Sequence, residues 1–172
     1  MRKALFLDRD GVINYDTGYC HVWSDSLIIE GLKELALHYQ NLDYKLIIIT
    51  NQSGIGRGYY TEAEFRKFMN AMEAYLSIFG INMDGYYFCP CLPTKRCSFR
   101  KPEPGMILRA ADEHEIDLSK SMFVGDKETD MLAADKAGII EKYLFSDDLC
   151  VQPVNLKNVK YKHITSLTQA IK

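Results

Sequence analysis

The sequence predicts an α/β fold, a parallel sheet with helices on both faces, and three observations carry that expectation. Short apolar runs rich in β-branched and aromatic residues alternate along the chain with amphipathic stretches of helical period. The run Leu46-Ile47-Ile48-Ile49 is continuously apolar, as expected of a strand covered on both sides. Polar residues suited to chemistry (Asp8, Thr50 and the pair Gly125-Asp126) stand at the carboxyl ends of apolar runs, where open α/β sheets collect ligands.

Taken in order, residues 4–8 read as strand, 31–41 as helix, 45–50 as strand and 61–79 as a long helix. The long helix opens on Thr61 with Glu64 three residues later, a capping box, and Gly80 closes it where a left-handed residue is needed. Residues 85–89 read as strand and 104–115 as helix, begun by Pro104, whose missing N–H costs nothing in a first turn. Strand 121–125, helix 127–137 ending at Gly138, strand 140–145, a strand near 160–164 and a short helix at 165–171 complete the pattern. Two insertions, residues 12–28 and 90–103, have no helical period and are expected to wall the site.

At 172 residues the chain is expected to form one domain. A net charge of -2 argues against nucleic acid as a partner, and no apolar run reaches the length of a membrane span. The N-terminus runs straight into the first strand without a signal-peptide pattern, so a cytoplasmic, membrane-free monomer is expected. Five cysteines, Cys20, Cys89, Cys91, Cys97 and Cys150, are too dispersed to read as a disulfide framework. The tyrosines, Tyr59-Tyr60 and Tyr86-Tyr87 among them, read as half-buried surface aromatics.

Four segments carry chemistry. Asp8 and Asp10 stand two apart at the end of the first strand, followed by Gly11, and side chains repeating every two residues bring both carboxylates to one place. Neighbouring acids repel, and a divalent cation would resolve the conflict and leave one of them a usable nucleophile towards phosphorus. Thr50-Asn51-Gln52-Ser53 follows the second strand and leads into a Gly-rich turn ending in Arg57, offering a hydroxyl and free amides to phosphate oxygens. Lys101, after Arg100 and flanked by Pro102 and Pro104, can be held as a fixed ammonium beside the acids. Asp126 follows the strand at 121–125, with Asp130 one helical turn later on the same face.

Together these words resemble the four motifs of the haloacid dehalogenase superfamily, a Rossmann-like fold of phosphatases. Within it the chain is similar to the heptose bisphosphate and histidinol-phosphate phosphatase branch, through Phe6 to Asn14, Gly18-Tyr19, Thr50 to Ile55, Arg100-Lys101-Pro102, Pro104-Gly105-Met106 and Val124 to Lys127. The resemblance implies no large cap and an aspartyl-phosphate mechanism. Asp8 would be the nucleophile, Asp10 the general acid and base, and Thr50 and Lys101 the phosphoryl-binding partners. Mg2+ would be held by Asp8, Asp10 and Asp126, with Asp130 behind them. Asp16, Gly18, Tyr19, Asn51, Gln52, Ser53, Arg100 and Lys127 would touch a small phosphorylated sugar, and Arg57 or Arg100 a second anion on it. The excess of basic side chains near the site favours a sugar bisphosphate over histidinol phosphate. A nucleic-acid 3′-phosphatase and a non-catalytic binding domain are the remaining alternatives.

The same branch implies a zinc-holding loop. Here Cys89, Cys91 and Cys97 match three ligand positions, but Phe99 stands at the fourth and cannot coordinate. The expectation is therefore a packed cluster of small cysteines rather than a zinc site.

Overall fold

A computed structural model describes residues 1–146, 156 and 158–172; Cys150 lies outside the described residues. Its centre is a six-stranded sheet in the order β3-β2-β1-β4-β5-β6 with every pairing parallel. The strands are β1 (Lys3–Leu7), β2 (Tyr44–Asn51), β3 (Gly85–Cys89), β4 (Met122–Gly125), β5 (Glu141–Phe145) and β6 (Lys162–Ile164). The helices between them are α1 (Leu32–Asn41), α2 (Ser53–Gly56), α3 (Glu62–Ile78), α4 (Gly105–Glu113) and α5 (Glu128–Lys136).

Register explains the two-sided burial. Leu5 pairs with Leu46 and Met122, Leu7 with Ile48 and Val124, and these side chains share one core with α1 and α3. The alternate residues Ala4, Phe6, Ile47, Ile49 and Phe123 enter a second core with Met106, Ile107 and Ala110 of α4 and Met131, Ala133 and Ala134 of α5. Fully burying one such Leu or Ile is worth roughly 1.5–3 kcal/mol. No large cap stands over the sheet among the described residues, and none of their helices is long and apolar enough to cross a membrane.

Local signals act as their chemistry demands. Thr61 Oγ1 accepts from the Glu64 N–H (3.2 Å), while the Thr61 N–H donates back to Glu64 Oε2 (2.7 Å). Gly80 takes φ +77° after α3. Pro104 is the residue before α4 rather than inside it, and the expected last helix is a single tight turn, Leu167–Ala170. The strand order reverses between β1 and β4, and their adjacent carboxyl ends set the site's position.

Candidate active site

Asp8 follows β1 and is fastened to the neighbouring strand by its N–H on the Val124 carbonyl (3.0 Å). Its side chain is buried, and Oδ1 accepts from the Arg9 N–H at 2.7 Å. Lys101 reaches the same oxygen from the second insertion: Nζ lies 3.0 Å from Asp8 Oδ1, 2.6 Å from Asp130 Oδ1 and 2.8 Å from the Ile49 carbonyl. Three donors meet three acceptors, which pins a side chain only 2% exposed. Burial works against the Lys101 charge, but Asp130 and Asp8 outweigh it and hold its pKa above the ordinary lysine range. Asn51 clips this loop to the end of β2, its Nδ2 donating to the Lys101 carbonyl and its Oδ1 accepting from the Lys101 N–H, both at 3.1 Å.

Asp126 does not cap α5. The Lys127 N–H is taken instead by Asp130 Oδ2 at 3.0 Å, and Asp126 Oδ1 is buried without a hydrogen-bond partner. Gly11 sits directly against it: at φ +83°, a Cβ there would lie 2.2 Å from Asp126 Oδ2, so both conformation and space require glycine. Gly125 has the same duty towards α5, since its Cβ would meet the Asp130 Cβ at 2.4 Å. One carboxylate oxygen each from Asp8, Asp126 and Asp130 lies within 4.8 Å of the others.

This acid cluster is short of positive charge. Burial, then the charges of Asp8 and Asp130, pushes the Asp126 carboxyl up to about 8. Burial and Asp130 raise Asp8 as well, against the pull of Lys101 and Lys127. Hard oxygen donors, one of them orphaned in the interior, and uncompensated negative charge are what a small divalent cation such as Mg2+ requires, so the residues fit it.

Asp10 is held by three side chains. Arg9 donates to it from Nη2 (2.8 Å) and Nε (3.1 Å), Asn14 from Nδ2 (3.0 Å) and Gln52 from Nε2 (2.9 Å). The Arg9 guanidinium is fully buried, 4.4 Å from the ring centre of Phe68 and 5.5 Å from that of Phe65, and donates to the Cys20 carbonyl at 2.7 Å.

A cleft of about 390 Å3 opens over these groups. Asp8, Asp10, Thr50, Lys101 and Asp130 form its floor, with Asn51, Gln52 and Ser53 beside them. Asp16, Gly18 and Tyr19 from the first insertion, Arg100 from the second, and Lys127 complete the wall. Lys127 Nζ bridges Asp16 (3.3 Å) and Asp126 (3.5 Å). Asp126 itself faces an adjoining cavity of about 370 Å3 shared with Gly11 and Asp16.

Arg57 is not part of this cleft. α2 makes one turn and closes with the Arg57 N–H on the Ser53 carbonyl (3.0 Å), which leaves the Arg57 side chain exposed to solvent, so of the two arginines considered for a second anion only Arg100 lines the cleft. Tyr60 departs from the surface reading of the tyrosines: it is 4% exposed and lines the cleft. Arg9, Asn14 and Thr129 also belong to the site or its support without having been singled out. Arg9 lay in plain sight between the two acids, and a basic residue there is a signal that a carboxylate needs holding.

The sulphurs of Cys89, Cys91 and Cys97 converge at the base of the second insertion, Cys91 and Cys97 at 2.8 Å and Cys89 and Cys97 at 3.4 Å. Phe99 packs against the core beside them, and no fourth candidate ligand joins the group among the described residues. Three thiols fall one ligand short of a closed structural zinc site.

With the site in view, likeness to known proteins is informative. Residues 12–157 match the family described as polynucleotide kinase 3 phosphatase. A D-glycero-beta-D-manno-heptose-1,7-bisphosphate 7-phosphatase of Helicobacter pylori (strain J99) is 46% identical over 162 residues, covering 92% of this chain and 93% of that one. One from Photorhabdus laumondii is 39% identical over 98% of this chain and 95% of its own. Among solved structures, the D,D-heptose 1,7-bisphosphate phosphatase of B. bronchiseptica complexed with magnesium and phosphate superposes with a TM-score of 0.76 at 32% identity, covering 83% of this chain and 80% of that one. The chain belongs to the haloacid dehalogenase-like phosphatases, in the branch of the heptose bisphosphate phosphatases. It is accordingly an enzyme, a phosphoric monoester hydrolase.

Proposed function

We propose that this enzyme removes the 7-phosphate of D-glycero-D-manno-heptose 1,7-bisphosphate through an aspartyl-phosphate on Asp8. One observation carries the mechanism: a buried carboxylate, Asp8, shares a fixed ammonium with Asp130 at the floor of a cleft in which Asp10 is held by Arg9, Asn14 and Gln52. The substrate reading is supported by relatives of that name at 39–46% identity over nearly the whole chain, and by Arg100 and Lys127 on the cleft wall, suited to an anion away from the reacting phosphate.

In this reading Asp8 attacks phosphorus, and the bond from phosphorus to the sugar oxygen breaks. Asp10 gives that oxygen a proton as it leaves. The same carboxylate then takes a proton from the water that attacks the aspartyl-phosphate, releasing inorganic phosphate and restoring Asp8. The Thr50 hydroxyl and Asn51 N–H hold phosphoryl oxygens, while Lys101 offsets the charge gathering between them and Asp8. Asp130 keeps Lys101 charged and in place. Mg2+, when held by Asp8, the Asp10 carbonyl and Asp126, supplies the positive charge that the acid cluster and the phosphoryl group both lack.

The substrate assignment is tested by comparing kcat/KM on the heptose bisphosphate with that on histidinol phosphate. Preference for the bisphosphate by tenfold or more is expected, because the wall of the cleft carries Arg100 and Lys127 where the second substrate brings a cation. Faster hydrolysis of histidinol phosphate would overturn the assignment.

The cation requirement has a separate signature in stability. In the unfolded chain Asp126 titrates near 3.8, and in the metal-free fold at about 8. Its contribution is fully present below about pH 4 and is lost as pH rises towards 8, because the unfolded chain gives up the proton first. In EDTA the melting temperature should therefore fall between pH 5 and pH 8, by several degrees for a loss on the order of a few kcal/mol. Excess Mg2+ should remove the fall by taking the proton's place, and Asp126→Asn should make it smaller without metal, leaving the part that the raised Asp8 carboxyl contributes. A melting temperature in EDTA that rises across this window, or falls equally in Asp126→Asn, would contradict the assignment.

A further inference from the structure

Gln52 is spent before any substrate arrives. Its Nε2 donates to Asp10 Oδ2 (2.9 Å) and to Thr50 Oγ1 (2.8 Å), which uses both amide hydrogens. Asp10 already accepts from Arg9 and Asn14, so the amide turns its nitrogen, not its oxygen, towards it. The amide oxygen is thereby directed at Tyr60, whose hydroxyl donates to Oε1 at 2.5 Å. Both residues are buried, Gln52 at 2% and Tyr60 at 4% exposure. The Tyr60 ring is seated against Gly54, where a Cβ would come within 2.2 Å of the ring, and is stacked by His21 at 4.9 Å between ring centres. Burial pushes its hydroxyl up to about 12, so it stays a donor across the working range of pH.

From this relay we propose that Tyr60 and Gln52 are positioning residues, which hold the Asp10 carboxylate and the Thr50 hydroxyl in register for phosphoryl transfer. The inference rests on the reading of Asp10 as the acid that protonates the leaving oxygen. Gln52 is the only described residue that ties the end of β2 to Asp10 directly through a side chain, and Tyr60 fixes its second rotatable end. Without the phenol hydroxyl, the amide can swing, and its hold on Asp10 and Thr50 loosens together.

The test compares wild type, Tyr60→Phe and Gln52→Glu on a sugar phosphate and on 4-nitrophenyl phosphate, whose leaving group departs without a proton. Tyr60→Phe keeps the ring and its packing; it is expected to lower kcat on the sugar phosphate about tenfold, with KM within about twofold. Its loss in first-turnover release of 4-nitrophenol is expected to be at least about fivefold smaller. Gln52→Glu keeps an acceptor for Tyr60 but turns a carboxylate towards Asp10, and should cost kcat about a hundredfold. Equal losses on both substrates, a change confined to KM, or no change in kcat in either variant would overturn the proposal. Absence of hydrolysis by the wild type would instead sink the underlying reading.

Discussion

Asp8→Asn is expected to lower kcat/KM by about 10⁴-fold or more while leaving the fold intact. An amide cannot attack phosphorus, and nothing else in the cleft can replace it at the same point: Asp10 is engaged by Arg9, Asn14 and Gln52, and Asp130 by Lys101 and the Lys127 N–H. The sign of the stability change separates loss of chemistry from loss of structure. Asp8 is one of three acids crowded within 4.8 Å, of which it and Asp130 are buried, and its carboxyl is raised by burial and by Asp130. Removing its charge should leave the melting temperature in EDTA unchanged or higher, because Lys101 keeps Asp130 as a partner. Hydrolysis within tenfold of wild type in a folded Asp8→Asn protein would eliminate the covalent mechanism.

Lys101→Met should be nearly as damaging to catalysis and, unlike Asp8→Asn, should also destabilise. The methionine fills the volume of the lysine stem but removes the charge shared by Asp8, Asp130 and the Ile49 carbonyl. Asp130 is 0% exposed, and stranding such a carboxylate costs about 3–5 kcal/mol. A kcat loss of about 10³-fold is expected from the missing electrostatic partner of the phosphoryl group. Adding Asp130→Asn should restore much of the melting temperature, since no buried charge is then left alone, but not the activity. Recovery of activity in the double variant would show that Lys101 serves only to balance Asp130.

Much of this architecture was legible in the chain because it rests on short-range rules. The continuous apolar run Leu46–Ile49 marked a strand buried on both faces, and Ile47 and Ile49 do enter one core while Leu46 and Ile48 enter the other. Thr61 and Glu64 formed the expected capping box, and Gly80 the expected left-handed stop. The strand-end acids, hydroxyl and lysine were readable because a parallel sheet brings the carboxyl ends of its strands together whatever lies between them.

What escaped the sequence depends on side-chain direction across distant segments. Arg57 lies in the same Gly-rich turn as the cleft residues Asn51 to Ser53, but one turn of helix is enough to send it to solvent. Tyr60 looked like its neighbour Tyr59; Tyr59 is 57% exposed, and only the absence of a Cβ at Gly54 lets Tyr60 turn inwards to Gln52. Arg9 is buried because Phe65 and Phe68 of α3 face it, a contact with no local trace.

The most direct test of the central claim, that Asp8 accepts the phosphoryl group beside a cation shared with Asp126, is a crystal structure grown with Mg2+ and trifluoroberyllate. The expected result is beryllium bonded to an Asp8 carboxylate oxygen, Lys101 Nζ alongside it, and Mg2+ about 2.1 Å from oxygens of Asp8 and Asp126. An adduct on another residue, or Mg2+ bound without Asp126, would contradict it.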